Sequence, residues 1–472
     1  MAKKKFLLLI PPAIIIFLAI FYVFFFKRVD IKKIDSDCEY LKKIFTEASV
    51  DISQTIDEGL DVNELIDEIK KEYSKEVKKQ KFWMSINESG IADNRFANSL
   101  TTVLGKRLTR PNGHLYLSSP YGSYFPFTSY VLFASDILFE KAGSEYKVYS
   151  SSDEQIKPEM LYTGNQENLF KTIIDGKVLY RFGYFKNEWI TTEKINIEGK
   201  DYKVKVNFTA KPIEEVQNFS FRTEGNILFV NTNTFMWHTE AEKNKIYDGI
   251  TELGNTINDR NIELIVFDLR GNSGGYSDIA FYLLATLVTA STDDTTEEFD
   301  EYVRYYNYLH SNDICINTLT TRNRLSLEGR GDDNLTRYLL RKTDEKYSFI
   351  YDPEYEYLET ITPAYKGKII FISDIDTGSG AEDFILSTKT VFKDNVTIIG
   401  HNSRGAFDYA NVYQFNLPDS RISIQLSFTD STNTPLLKDS TCWQGDTKGV
   451  RPDYWFTFNG DFELSQIIDI LK

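Results

Sequence analysis

The chain has 472 residues, 42% of them hydrophobic and 14% aromatic, with 54 Lys and Arg set against 69 Asp and Glu for a net charge of −15. That length and apolar content suit a large core divided among about two or three domains, and the acidic balance argues against nucleic acid, whose phosphates want a basic surface. The three cysteines, Cys38, Cys315 and Cys442, are odd in number and lack metal-type spacing, so neither a disulfide framework nor a zinc site is expected.

The run FLLLIPPAIIIFLAIFYVFFF, Phe6 to Phe26, carries no charge. At about 1.5 Å per residue it just spans a hydrocarbon core of about 30 Å. Lys3, Lys4 and Lys5 precede it, and Lys27 and Arg28 follow. There is no small-x-small cleavage site before the charges return, and no cysteine for a lipid, so residues 1–28 are read as an uncleaved anchor rather than a signal peptide. Pro11 and Pro12 would kink that helix, which a membrane tolerates when the released carbonyls find partners. Basic residues on both flanks nearly balance the positive-inside rule. The expectation is a single-pass cell-membrane protein with its bulk outside the cytoplasm.

Residues 29–110 read as a helical N-terminal domain: LIDEIKKEYSKEVKK has no glycine or proline and repeats Glu/Lys pairs at helical spacing. Residues 111–215 turn β-like, with aromatic stretches such as GKVLYRFGYF and EGKDYKVKVNF between turn residues. Residues 216–472 alternate strand and helix. NILFVNTNTF and IELIVFDL are strand runs, and between them Ile246, Ile250, Leu253 and Ile257 share one helix face. SDIAFYLLATLV follows as an apolar helix with Ser277 at its N-cap position. After an acidic insertion, about 290–364, come KIIFIS, the helix GAEDFILSTKTV, the strand VTIIG and the alternating strand ISIQLSF. This order predicts an α/β layered fold. The insertion is either a surface excursion or a cover over a cleft.

DTGSGAE, Asp376 to Glu382, sets a serine between two glycines at a strand-to-helix turn. Small neighbours permit close backbone approach, and a helix start offers N–H groups to an anion. The pattern suits a nucleophile beside an oxyanion hole; it also suits a plain turn or N-cap serine. FDLRGNSGG, Phe267 to Gly275, ends another strand, and TKGVRPD, Thr447 to Asp453, lies downstream.

The three motifs, in this order, resemble the tail-specific (C-terminal processing) and tricorn-core family of serine peptidases. The resemblance covers about residues 226–456 and, less fully, 104–117. It implies a ClpP/crotonase-like spiral fold, Ser379 as nucleophile, and an oxyanion hole from the N–H groups of Gly380 and Gly274. It implies no metal or organic cofactor. Asp268 and Arg270 fit a role bracing the strand end. The lysine base of tail-specific members falls on Ala406, and the nearest cation, Arg404, stays protonated and cannot be a base. The tricorn-like branch uses an earlier histidine, and RPNGHLYL partly matches its motif through Asn112, Gly113 and His114. Gly113 stands where some tricorn-like members carry a second serine. His114 is therefore the expected base, with His401 as the other candidate among four histidines. The late acid that would orient it falls on Asp446, with Glu382 as the alternative. The implied function is a membrane-anchored peptidase acting on peptide or protein. Two other readings stay open: a non-catalytic ligand- or peptide-binding protein on the same fold, and a structural ectodomain.

Overall fold

The structure is a computed structural model that describes residues 34–78, 91–120, 122–208, 219–289, 309–312, 347–350, 363–432, 435–438, 440–457 and 463–472. The expected anchor and nearly all of the 290–364 insertion lie outside these residues. Among the described residues no helix is long and apolar enough to cross a membrane. The chain divides into two compact units: one comprises the chain up to Pro111, Leu115–Pro126 and Val412–Phe428; the other comprises Asn112–His114, Phe127–Asn411 and Thr429–Lys472.

The first unit contains α1 (Asp35–Glu47), α2 (Val50–Asp57), α3 (Val62–Lys78) and α4 (Ile91–Arg107). On α1, Cys38, Leu41 and Phe45 recur at helical spacing and are fully buried. The start of α3 is capped by Asp61, whose carboxylate accepts the N–H of Asn63 at 2.7 Å. Tyr73 of α3 meets Phe96 of α4 edge-on, ring centroids 5.5 Å apart. Arg107, in the last turn of α4, pairs with Glu64 and Glu68 of α3. Strand β1 (Tyr116–Ser119) pairs antiparallel with β2 (Gly122–Tyr124) on one side and with Ser423–Gln425 on the other.

In the second unit, β3 (Val131–Ala142), β4 (Glu145–Ser150), β5 (Leu169–Ile174) and β6 (Lys177–Lys186) form an antiparallel sheet in the order β4-β3-β6-β5. β7 (Thr192–Ile197) and β8 (Lys200–Lys205) form a hairpin. Its turn residues Glu198 and Gly199 have φ of 51° and 76°, and Asp175 and Gly176 between β5 and β6 have 48° and 70°. Two successive positive φ angles match the right-handed twist of flanking strands.

The larger sheet joins β9 (Ser220–Glu224), β10 (Ile227–Asn231), β11 (Leu264–Asp268), β12 (Lys368–Ser373), β13 (Val396–Gly400) and a short strand at Tyr454–Trp455, side by side in that order. Only the β9–β10 pairing is antiparallel. The crossovers carry α5 (Glu240–Asp259), α6 (Ser277–Thr289) and α7 (Gly380–Phe392). Both sheet faces are covered, which is why the strands read as continuous apolar runs. Ile265, Phe267, Ile369 and Phe371 face the core that holds Ile246, Ile250, Leu253 and Ile257 of α5. Leu264, Val266, Ile370 and Ile372 face the core shared with Ile467 and Ile468. Ser277 is the first residue inside α6 rather than its cap, one position on from the expected boundary. In register, Asn231 pairs with Asp268, Asp268 with Ile372, and Ser373 with Gly400. The loops after β11, β12 and β13 therefore leave one edge, the carboxyl edge where open α/β sheets place ligands.

Candidate active site

The turn after β12 is held from several sides. The Asp374 carboxylate accepts N–H groups from Asp376 and Thr377, each at 3.0 Å, and from Gly271 of the neighbouring loop. The Thr377 hydroxyl donates to Leu269 O at 2.9 Å, and Gly378 N–H donates to Asn272 O at 2.9 Å. Ser379 is thereby forced to φ 53° and ψ −120°. A non-glycine residue so placed stores about 1–3 kcal/mol of strain, which persists only where the surroundings over-determine it. Phe384 of α7 fixes the helix that follows, packing edge-on against Phe267 (5.0 Å) and Phe371 (5.2 Å) of the sheet.

His114 reaches this turn from a distant part of the chain. Its Nε2 lies 3.0 Å from Ser379 Oγ, and its Nδ1 lies 2.6 Å from the carbonyl oxygen of Tyr409. A carbonyl only accepts, so Nδ1 carries the proton and, in a neutral ring, Nε2 presents its lone pair to the serine hydroxyl. The residue keeps a partly exposed edge, but burial of the ring pushes its pKa down to about 4. The Tyr409 carbonyl offsets part of this by favouring the charged ring, and the Arg404 charge, the smallest of the three effects, lowers it again. The imidazole is thus neutral at pH 7.

Residues 226–455 match peptidase family S41. The enzyme is therefore a serine-type peptidase, a hydrolase of peptide or protein. Solved structures similar to the chain include mature CPAF, at 12% identity and TM-score 0.41, covering 90% of this chain and 92% of that one. The photosystem II D1 C-terminal processing protease is 12% identical at TM-score 0.36, covering 93% and 97%. A lipoprotein from Streptococcus agalactiae is 16% identical at TM-score 0.29; 51% of this chain covers 66% of that one. No curated protein matches the chain.

The sequence-derived residues sort unevenly. Ser379 and His114 come together, although His114 lies outside the matched segment. His401 is buried elsewhere, its Nδ1 2.6 Å from Asn402 Oδ1 and its ring against Phe208 and Trp455. Asp268 and Arg270 form a two-pronged ion pair, 2.8 and 2.6 Å, which fits a bracing role.

The expectation that Asp446 orients the imidazole is corrected. Its carboxylate is spent on three main-chain donors, the N–H groups of Gly113, Phe407 and Asp408, each at 2.8 Å. It tethers the residue before His114 rather than the ring. Burial and the Asp408 charge push the Asp446 pKa well up. Glu382 does not touch the ring either. It accepts N–H groups from Ser379 (2.8 Å), Gly405 (2.7 Å) and Ala406 (2.9 Å), and the Ser403 hydroxyl. The group that orients the ring is the Tyr409 carbonyl, which no side-chain motif could announce.

Gly274 also departs from its expected role. Its N–H donates to Asn272 Oδ1 at 2.9 Å, so it is engaged inside its own turn. Its lack of a side chain matters instead: a carbon added there would lie 2.7 Å from both Ser379 Cβ and Gly380 N. Among the described residues, no acceptor meets the N–H of the next glycine, Gly275, or of Gly380. A carbon added at Gly380 would lie 3.6 Å from Gly275 N, so these two donors are neighbours. Gly380 and Gly275 are thus the two neighbouring open N–H donors beside Ser379. At Gly113 a side-chain carbon would fall 2.0 Å from Gly405 O, which leaves no room for the second serine of some relatives.

Proposed function

We propose that the chain is a membrane-anchored serine peptidase in which Ser379 is the nucleophile and His114 its base, working through an acyl-enzyme. The observation that carries it is the Nε2–Oγ approach of 3.0 Å, with Nδ1 committed to Tyr409 O. Nε2 takes the hydroxyl proton as Oγ bonds to the scissile carbonyl carbon. The same proton then goes to the departing amine, and water repeats the sequence on the ester. Gly380 and Gly275 supply N–H donors where the oxyanion forms, a contribution of about 3–4 kcal/mol for each well-aimed donor. The parallel sheet with its strand-to-helix crossovers supports a ClpP/crotonase-like spiral. The uncharged Phe6–Phe26 run supports a single-pass anchor, and the proposal places the catalytic part outside the cytoplasm.

A fluorophosphonate probe tests this directly. Ser379 is expected to be labelled in the full chain, with the label in the membrane pellet, and in the soluble fraction once residues 1–28 are removed. Labelling is expected to vanish in His114→Ala. Labelling that survives in His114→Ala removes the base assignment, and none in the native chain removes the hydrolase.

The pH dependence has a definite sign. The folded pKa of His114, about 4, lies below the ordinary 6.5. The ring stays a competent base through neutral pH, and kcat/KM is expected to fall about tenfold per pH unit only below about pH 4. The unfolded chain takes up this proton first, so native stability declines as pH drops from about 6.5 toward 4. An acid limb centred near 6.5 in a pH–rate profile would contradict the burial of the base.

A further inference from the structure

We infer that Met236, Trp237 and Tyr276 form the subsite for the side chain next to the scissile carbonyl, and that this substrate residue is large and apolar. The inference rests on the peptidase function proposed above.

Two chain segments are zipped together beside the nucleophile. Phe235 N–H donates to Gly274 O at 3.1 Å, and Tyr276 N–H donates to Phe235 O at 2.8 Å. Phe235 is fully buried and anchors the pair, its ring near Phe384 of α7. The residues on either side of these bonds point their apolar surface outward: Met236 and Tyr276 are each 39% exposed. A scattered exposed apolar residue is ordinary. Here, however, both flank Gly275. Tyr276 follows it directly, and a carbon added at Gly275 would lie 2.8 Å from Met236 Cγ. A substrate carbonyl held by the Gly275 N–H at about 2.9 Å carries its own side chain two bonds from the carbonyl carbon. That side chain must rest within a few ångströms of the same turn, where Met236 and Tyr276 stand.

The surface there is both apolar and stiff. The Trp237 ring stacks on Tyr276 at 3.8 Å and 21°. Behind it, Tyr247 meets Trp237 at 6.0 Å and Tyr282 at 4.9 Å, both edge-on. Lys243, 5.9 Å over the Trp237 ring, is paired with Glu240. A large apolar side chain laid on this surface removes apolar area from water on both partners, at about 25 cal/mol per Å². An acidic or small side chain gains little, and a flexible methionine adapts to the shape presented.

The test is a set of quenched fluorescent peptides differing only at one position (Phe, Leu, Ala or Asp), with the cut located by mass spectrometry. In the native full chain, kcat/KM is expected to be at least about tenfold higher for Phe or Leu than for Ala when that residue carries the cleaved carbonyl. In Tyr276→Ala and Met236→Ala the Phe-to-Ala ratio is expected to fall to within about threefold, and Tyr276→Phe is expected to keep it. Met236→Lys is expected to shift preference toward Asp. Cleavage without an apolar preference, or a preference that none of these substitutions moves, overturns the subsite alone. Fluorophosphonate labelling of Ser379 with no peptide cut also overturns it. No cutting and no labelling overturns the peptidase assignment beneath it.

Discussion

Ser379→Ala and His114→Ala are each expected to lower kcat by about five to six orders of magnitude, and the double variant to lose no more than either alone. The reason lies in how the two groups share one proton. In the proposed mechanism Ser379 Oγ attacks only as Nε2 accepts its hydrogen, and the 3.0 Å approach between them is the path of that transfer. Removing either end removes the same step, so the losses do not add. What survives is binding plus the Gly380 and Gly275 donors, a residual of about 10³–10⁴ over water. The measurement is a double-mutant cycle on kcat with a fluorogenic peptide, alongside thermal unfolding. Both single variants should remain folded. Ser379→Ala keeps a Cβ in the strained turn, and His114→Ala removes a ring whose Nε2 faces the Ser379 hydroxyl. Losses that simply add would mean that His114 acts on something other than Ser379.

Much of this arrangement was legible in the sequence where the physics is local. IELIVFDL, KIIFIS and VTIIG are continuous apolar runs because both faces of their sheet are covered, and each became a central strand. The one-sided spacing of Ile246, Ile250, Leu253 and Ile257 became the buried face of α5. The serine and histidine were marked by motifs, since those side chains recur where such chemistry is done. Non-local and main-chain features left no such mark. Tyr409 contributes through its carbonyl, which every residue has. Gly274 and Gly275 read identically, and only the direction of each N–H separates a donor bound to Asn272 from one open to an oxyanion. Asp446 sits at the expected position yet serves main-chain donors. In the first unit, β1 pairs with Ser423–Gln425, some three hundred residues onward, a partnership that local pattern does not encode.

Glu382→Gln is expected to cost about 2–4 kcal/mol of stability and at least about 100-fold in kcat, although it changes one atom of a side chain that never meets the imidazole. Four donors converge on this buried carboxylate. Gly405 N–H and the Ser403 hydroxyl meet one oxygen, and Ser379 N–H and Ala406 N–H meet the other. A carboxylate can accept all four. An amide cannot, because whichever side its NH₂ occupies, that group faces at least one main-chain N–H and both are donors. With the NH₂ toward Ser379 and Ala406, two buried donors lose their acceptor at once. With the NH₂ reversed, Gly405 loses its own while the Ser403 hydroxyl can turn to accept. Burial alone pushes the Glu382 carboxyl pKa up, and these same four bonds pull it back toward the charged form. The catalytic loss follows from what the bonds join. Ser379 N–H is the main-chain donor of the proposed nucleophile, and Gly405 and Ala406 belong to the turn against which Gly113 packs. Slackening that knot lets the Ser379 backbone relax from its strained φ and lets the His114 segment drift, so the loss should fall on kcat while KM stays nearly constant. Glu382→Asp, one methylene shorter, should recover charge but not reach, and so restore less than half of the lost stability. Steady-state kinetics with chemical unfolding of both variants decide the matter. A Glu382→Gln enzyme with native kcat would show that the nucleophile turn holds its geometry without this carboxylate.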